Sequence, residues 1–583
     1  MAILMNNFLY CRLIIILFFV ASTNNLAAKS VTKQLSNLAQ NYYDLRLEIA
    51  QPMAYYYNFK ISRHNKFIDN DPVNLKKYEA REDRIYQQLK SIKAADLDTQ
   101  QAEVFYAQFI ESLESSIEQR ICKSELWNIS HMFGPHSTLN FLINVQPVET
   151  EQNKQDALAR WGQVALYYDQ EIENLNRGLG QGYSVPKRVV KRLLQQINNL
   201  ISLEIDNHPY LKLSERTVDV QFKKAFKNLL NDQLLPSLSR YSAYLENQYL
   251  PAARESLGIH ALPKGRECYM ALYRSYTTMQ RTPETVFEIG NAAVNENIKA
   301  VIALGKTLYG ETTFAGTVAK ASQDKTEEFN SAEQMHEFYV AVVDRAKATM
   351  PKYFLKMPSI EMEVEAIPEY QQGAGVSAHY NQGSADRKAK FFYDPTTFPL
   401  ENFGSGEIVS VHEGYPGHHM QIALVQDIKP FHPVADMFSN SAFSEGWARY
   451  SETLAEEAGI FQSKSAKILR RTWPARGMVA DTGMHLLGWS NETVAEFLSA
   501  SGKSFAKAPD VMMDRMAAIP AQLTAYDSGV LQIFALRKKV QAAMGARFNI
   551  KDFHHQILKN GNVPMSVLEQ QIIHSISNKP IKE

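Results

Sequence analysis

The sequence predicts a mainly α-helical protein with one small antiparallel β-element late in the chain. Three observations lead there. Residues 30 to 350 carry apolar side chains at three- and four-residue steps, with Pro and Gly falling mostly between the runs. From about 358 to 394 the spacing changes to alternation. From 405 onward the helical pattern returns and runs to the end.

The N-terminus reads as a leader rather than part of the fold. Arg12 precedes an apolar run, Leu13 to Ala21, and small residues follow through Ala27 and Ala28. That order is a signal-peptide pattern, and the run is too short for an ordinary membrane span. Residues 1–28 are therefore expected to be removed, giving an exported, periplasmic or secreted protein. No later apolar stretch approaches the length of a spanning helix, so no membrane association is expected after cleavage. Lys+Arg 62 against Asp+Glu 62 gives zero formal charge, which removes any electrostatic case for nucleic acid. Hydrophobic content of 45% and charged content of 21% suit a large globular core. Residues 29–583 show no linker and read as one helical, two-lobed domain with a β-hairpin region at 358–394 and a metal site at 405–530. Of three cysteines, Cys11 lies in the leader. Cys122 and Cys268 remain, as one disulfide or as two buried thiols.

Within the helical half, Ala107, Ile110, Leu113 and Ile117 keep helical steps, as do Val189, Leu193, Ile197 and Ile201. Thr282-Pro283-Glu284-Thr285 reads as a helix start with Pro in the first position. Ile360 to Ala366 alternates apolar and charged residues, Gly373-Ala374-Gly375 breaks the chain, and Val376–Tyr380 and Lys390–Tyr393 are further strands.

The chemistry concentrates at His412-Glu413-Gly414-Tyr415-Pro416-Gly417-His418-His419. In the usual zinc-hydrolase form, His-Glu-x-x-His, two His one turn apart bind the metal and the Glu activates water. Here the fourth position after His412 is Pro416, and the next His is six residues on. A regular helix would set His419 about 10 Å along the axis from His412, too far to share an ion. A bulge at Pro416-Gly417 absorbing two residues would bring one of the two His alongside His412. His418 is favoured, with His419 as the alternative. Two His and one Glu form a standard catalytic zinc set. Glu445 supplies the carboxylate, lying off the apolar stripe Phe443, Trp447, Tyr450 and Leu454. Its competing role is an ion pair with Arg449 on a solvated face.

These residues resemble the signature of the bacterial domain-of-unknown-function 885 family. The His412–His418 motif carries the likeness, with Ser444-Glu445-Gly446-Trp447-Ala448 as a second motif. Val479 to His485 with Gly488-Trp489, Pro520-Ala521-Gln522 through Tyr526 and Gly529 to Arg537, and Phe553-His554 with Asn560-Gly561 and Pro564 extend it. The resemblance implies a zincin-like metallopeptidase fold, Zn2+ held by His412, His418 and Glu445, and Glu413 as general base. This chain departs from the pattern at Ala521 and Asp527, where the family often has a glycine and a basic residue. Tyr526 and His485 are the candidate donors to a developing oxyanion. Arg476, His554 and His555 read more readily as structural. The expected function is zinc-dependent cleavage of peptide substrates by a metal-activated water. Hydrolysis of other amides or esters, and a non-catalytic binding protein on a peptidase scaffold, are the alternatives.

Overall fold

The buried side chains sort into two large cores and smaller ones, and the helices that carry the His-Glu motif belong to the second large core. A computed structural model describes residues 29–367, 372, 378–384, 387–502 and 509–577. The expected leader, the Gly373–Gly375 break and Val376 lie outside the described residues. The first core gathers Trp161, Tyr168, Tyr210, Tyr249 and Tyr269, together with Met478 and Met516 from far along the chain. The second gathers Val301, Phe391, Trp447, Tyr450, Ile533 and Leu568. Tyr276, Met279 and Leu531 pack against both. Each such apolar side chain contributes about 1.5–3 kcal/mol of transfer free energy when fully buried. No described helix is long and apolar enough to cross a membrane.

The chain enters through α1 (29–49) and α2 (Gln100–Gln119). In α2 the core face is Ala102, Phe105, Phe109 and Leu113, one step round from the stripe read in sequence; of that stripe, Leu113 alone is buried. Aromatic bulk decides this, because Phe105 and Phe109 stack on Phe431 and Phe438. Helices α3 (Glu151–Gly180) and α4 (Lys187–Ile201) follow, and α4 buries Val189, Leu193 and Ile197 as its spacing predicts. Next come α5 (Gly265–Thr277) and α6 (Pro283–Tyr309). Thr282 caps α6 by accepting from the Thr285 amide, with Pro283 in its first turn. Cys122, after α2, is disulfide-bonded to Cys268 in α5, tying together segments 146 residues apart.

After α7 (Ala332–Thr349) come β1 (Met362–Ala366), β2 (His379–Asn381) and β3 (Ala389–Tyr393). The expected antiparallel sheet is mixed instead. The order is β1-β3-β2, with β2 antiparallel and β1 parallel to the central β3. Side-chain chemistry accounts for this arrangement. Ala389, Phe391 and Tyr393 turn one face of β3 into the core, where Phe391 stacks on Tyr339 of α7. On the other side Lys388 pairs with Glu363, and Lys390 with Glu365. These pairs lay the charged residues of β1 beside the lysines of β3.

The remaining site helices are α8 (Phe403–Glu413), α9 (His418–Gln426), α10 (Ser441–Glu457), α11 (Arg476–His485) and α12 (Thr524–Met544). Buried Glu407 anchors α8, pairing with Arg345 of α7 at 2.7 Å and accepting from the Gln462 and Ser463 amides. Phe443, Trp447, Tyr450 and Leu454 are all fully buried, as the α10 stripe predicts. Helices α10 and α12 cross at paired glycines. A methyl on Gly446 would lie 2.6 Å from the Gly529 backbone, and one on Gly529 would lie 1.8 Å from the Ala442 carbonyl oxygen.

That contact generates a prediction. Gly529→Ala pushes a methyl into backbone that cannot rotate away, an overpacking cost of typically 1–3 kcal/mol or more. Denaturant unfolding should show at least about 2 kcal/mol of destabilisation. A loss below about 0.5 kcal/mol, the ordinary surface range, would show that the helices can slide apart freely.

Candidate metal centre

The backbone between α8 and α9 is the two-residue bulge the His spacing demands. The Gly417 amide donates to the Val411 carbonyl at 3.0 Å and the Met420 amide to the Gly414 carbonyl at 3.4 Å, each reaching six residues back instead of four. Glycine is obligatory at 417, because an added Cβ would lie 1.9 Å from the His412 carbonyl oxygen. The Tyr415–Pro416 peptide is cis. The Pro416 carbonyl accepts from the Trp447 indole at 2.9 Å, fixing the bulge against α10.

The bulge turns His418 back toward His412, their ring centroids 5.0 Å apart and nearly perpendicular. Glu445, from the first turns of α10, closes the triangle. Its Oε2 lies 3.7 Å from His412 Nε2 and 3.6 Å from His418 Nε2. The three ligand atoms all lie within 4.8 Å of one another. Donors about 2.0–2.2 Å from a tetrahedral ion sit at such mutual separations, so two imidazoles and a carboxylate fit zinc with one position open. Glu445 does not pair with Arg449; Arg449 turns to Glu452 at 3.0 Å.

Glu413 ends α8 beside this triangle and is buried. Burial lifts its carboxyl above the ordinary value, opposed by the nearby charges of His418 and His412, and His379 of β2 is close enough to act on it too. Sequence reasoning missed His379, which the chain break separates from the motif. It also missed Glu452. His412 Nδ1 meets Glu452 Oε1 at 2.9 Å, leaving Nε2 to face Glu445. Glu452 is in turn held by Arg449, whose guanidinium lies 5.8 Å from the Tyr526 ring centroid. The only sequence signal for Glu452 is its place seven residues after Glu445, two turns along one helix face. Burial opposes a charge on His412, yet Glu445 and Glu452 on its two nitrogens reverse that and push it up to about 10. Glu445 is likewise penalised by burial but held below its ordinary value by His412 and His418.

The other expected residues divide. His419, the alternative ligand, is fully buried away from the triangle. Its Nδ1 meets the Tyr380 hydroxyl at 3.2 Å and its Nε2 the Tyr415 hydroxyl at 3.0 Å, so both nitrogens are used and burial lowers it to about 4. His485, expected as an oxyanion donor, is corrected. Its Nδ1 accepts from the Ile259 amide at 3.0 Å and its Nε2 donates to the Met516 carbonyl at 3.0 Å, a fully buried packing role. Tyr526 lies under Arg449, and its hydroxyl is hydrogen-bonded to Arg515 and Gln522. Burial raises its hydroxyl, and the charge of Glu445 adds to that effect. Arg476 donates to the Thr472 and Phe497 carbonyls, and His554 bridges Tyr450 and the Tyr353 carbonyl, both structural contacts. Ala521 has φ 69°, the left-handed region that favours glycine. Asp527 is buried near Arg449, and burial raises it to about 6.

A family model described as "Bacterial protein of unknown function (DUF885)" matches residues 54–572, so the chain belongs to that family. No curated protein matches it. Two solved structures of proteins described as "putative lipoprotein" share its fold. The one from Colwellia psychrerythraea superposes with TM-score 0.82 at 20% identity, covering 95% of this chain and 100% of its own. The one from Shewanella oneidensis gives 0.76 at 16% identity, covering 92% and 99%.

The Glu452 contact yields a test. Partners on the far nitrogen of a ligating His typically contribute 10–100-fold to metal affinity. Competition against a chromophoric chelator should show Glu452→Ala binding zinc about 10–100-fold more weakly. Glu452→Gln, which can still accept from Nδ1, should fall between. Equal affinity in all three proteins would reduce Glu452 to a fold-stabilising partner of Arg449.

Proposed function

We propose that this protein is a zinc-dependent hydrolase that cleaves peptide bonds, built on a zincin-like helical fold. The observation that carries the reading is the convergence of His412, His418 and Glu445 beside a buried Glu413. A bound zinc ion supplies a Lewis acid and a water acidified to near neutrality.

The chain's own groups would do the rest. Glu413 takes a proton from the attacking water and returns it to the leaving amine. Its raised carboxyl is suited to that exchange, being a stronger base than a solvated glutamate. Tyr526 donates toward the oxygen that gains charge, in a buried setting where such a donor acts strongly. Strand β2 is an edge of the sheet, carries His379 toward Glu413, and would align an extended peptide by strand addition. Export is part of the same reading. The disulfide between Cys122 and Cys268 suits an oxidising compartment, the N-terminal pattern is that of a signal peptide, and the two similar structures named above are described as putative lipoproteins.

Metal analysis should find about one zinc per chain, since the three-ligand set holds one ion. His412→Ala, His418→Ala and Glu445→Ala are each expected to lose it, whereas His419→Gln keeps it. Glu413→Gln should retain zinc and lose about 10²–10⁴ in hydrolysis of a peptide library read by mass spectrometry. Zinc retained in His418→Ala, or near-full activity in Glu413→Gln, contradicts the assignment. Ester cleavage without peptide cleavage would replace the substrate class.

A further variant addresses the oxyanion. Tyr526→Phe removes one hydroxyl and little volume, so zinc content and melting should survive. Turnover should fall by roughly 10²–10³ with KM little changed. Wild-type turnover in this variant would return Tyr526 to a packing role under Arg449.

A further inference from the structure

A polar cavity of about 270 Å³ lies between α1, α2 and the N-terminal end of α10. Its walls are hydroxyls and amides, among them Tyr42, Ser112, Ser275, Thr278 and Asn562. Two charged residues reach it, Arg46 and Glu111. Glu111 is already neutralised, with both oxygens 2.8 Å from Arg274. Arg46 is not matched in this way. Its Nη2 approaches the Met53 sulfur at 3.9 Å, its guanidinium lies 6.0 Å from the Tyr42 ring centroid and is hydrogen-bonded to the Tyr42 side chain, and among the described residues it forms no ion pair. Glu82, the nearest carboxylate in its field, is held by Arg120 and Ser116.

The cavity is close to the metal ligands along the chain. Asn440 lines it and caps α10. Glu445 follows five residues later, about 7.5 Å along the helix axis. Ser444, adjacent to Glu445, donates to Asn562 of the cavity wall at 3.3 Å. An extended peptide advances about 3.3 Å per residue. Two or three extended residues span about 7–10 Å, the same order as that helical rise.

We propose that this cavity is a substrate subsite for a carboxylate, anchored by the Arg46 guanidinium. The proposal rests on the peptidase reading. A guanidinium fork takes a carboxylate bidentately, and the surrounding hydroxyls and amides fill its remaining lone pairs. A lysine or arginine side chain would meet Arg46 as a like charge, and an aliphatic one would strip water from the hydroxyls without replacing it. The carboxylate is either an acidic side chain or the C-terminus of a peptide cut two or three residues from its end.

The test uses the full zinc-loaded protein and peptide pairs of one sequence, Glu against Gln at each position and free against amidated C-terminus. Wild type should prefer the acid by roughly 10–100-fold in kcat/KM, the worth of one charged hydrogen-bonded contact. The Glu/Gln arm and the terminus arm identify which carboxylate is read. Arg46→Met should abolish the preference with the loss carried by KM, and Arg46→Lys should keep part of it. Zinc content and melting temperature of the Lys variant control for folding. Calorimetric titration with N-acetylglutamate provides a readout without hydrolysis, with binding expected in wild type and lost in Arg46→Met. If peptides are cleaved without acid preference, or the preference survives in Arg46→Met, the subsite is refuted and the peptidase reading stands. If no peptide is cleaved but N-acetylglutamate binding depends on Arg46, the carboxylate site stands and the peptidase reading falls.

Discussion

The site depends on one backbone event, the two-residue bulge between α8 and α9. Two histidines six positions apart on a regular helix face different directions and cannot share an ion. The hydrogen bonds from Gly417 to Val411 and from Met420 to Gly414 shorten that separation to one turn's worth of space. The same bulge buries His419 between Tyr415 and Tyr380, a clamp that holds the loop to the sheet. Trp447 reads the bulge from the other side through the Pro416 carbonyl. Gly417 permits all of this, since any Cβ there would overlap the His412 carbonyl.

A second constraint is charge in a dry place. Glu413, Glu445, Glu452 and Asp527 gather around His412, His418 and Arg449, all buried or nearly so. Burying carboxylates is costly unless each finds a cation or a full set of donors. Glu452 finds both, between Arg449 and His412. Glu445 faces the two imidazoles at 3.6 and 3.7 Å, with the charge of Arg449 acting on it as well. That spacing is looser than an ion pair would choose and suits an ion between the three groups. Glu445 and Glu452 favour the charged form of His412, so metal uptake would displace that proton.

Much of this was legible in the sequence. Helical spacing identified the fold class, the α10 stripe and the Thr282 cap, because those depend on local periodicity and end chemistry. The His-Glu motif with its Pro-Gly interruption pointed to a bulge, and the structure brings His412, His418 and Glu445 together there. What escaped depends on contacts distant in sequence. The pairing of β1 with β3 across the intervening β2 is a tertiary choice, made by the Lys–Glu ladder and the Phe391 contact with α7. His485 carries a motif-like address, yet its nitrogens are used by Ile259 and Met516, residues 226 and 31 positions away. Glu452 looked like any helix-surface glutamate until α8 was laid against α10.

The Gly446–Gly529 crossing links these points. It lets α12 approach α10 at backbone distance, the closest packing helices allow. Tyr526, near the start of α12, lies under Arg449 and feels the charge of Glu445. The turn before α12 holds Ala521 in a left-handed conformation, at a cost of roughly 1–2 kcal/mol for a residue with a Cβ. The Ala521 amide donates to the buried Asp481 of α11 at 3.0 Å, which fixes that turn in place. Strain at 521 thus sits in the turn that opens α12, five residues before Tyr526.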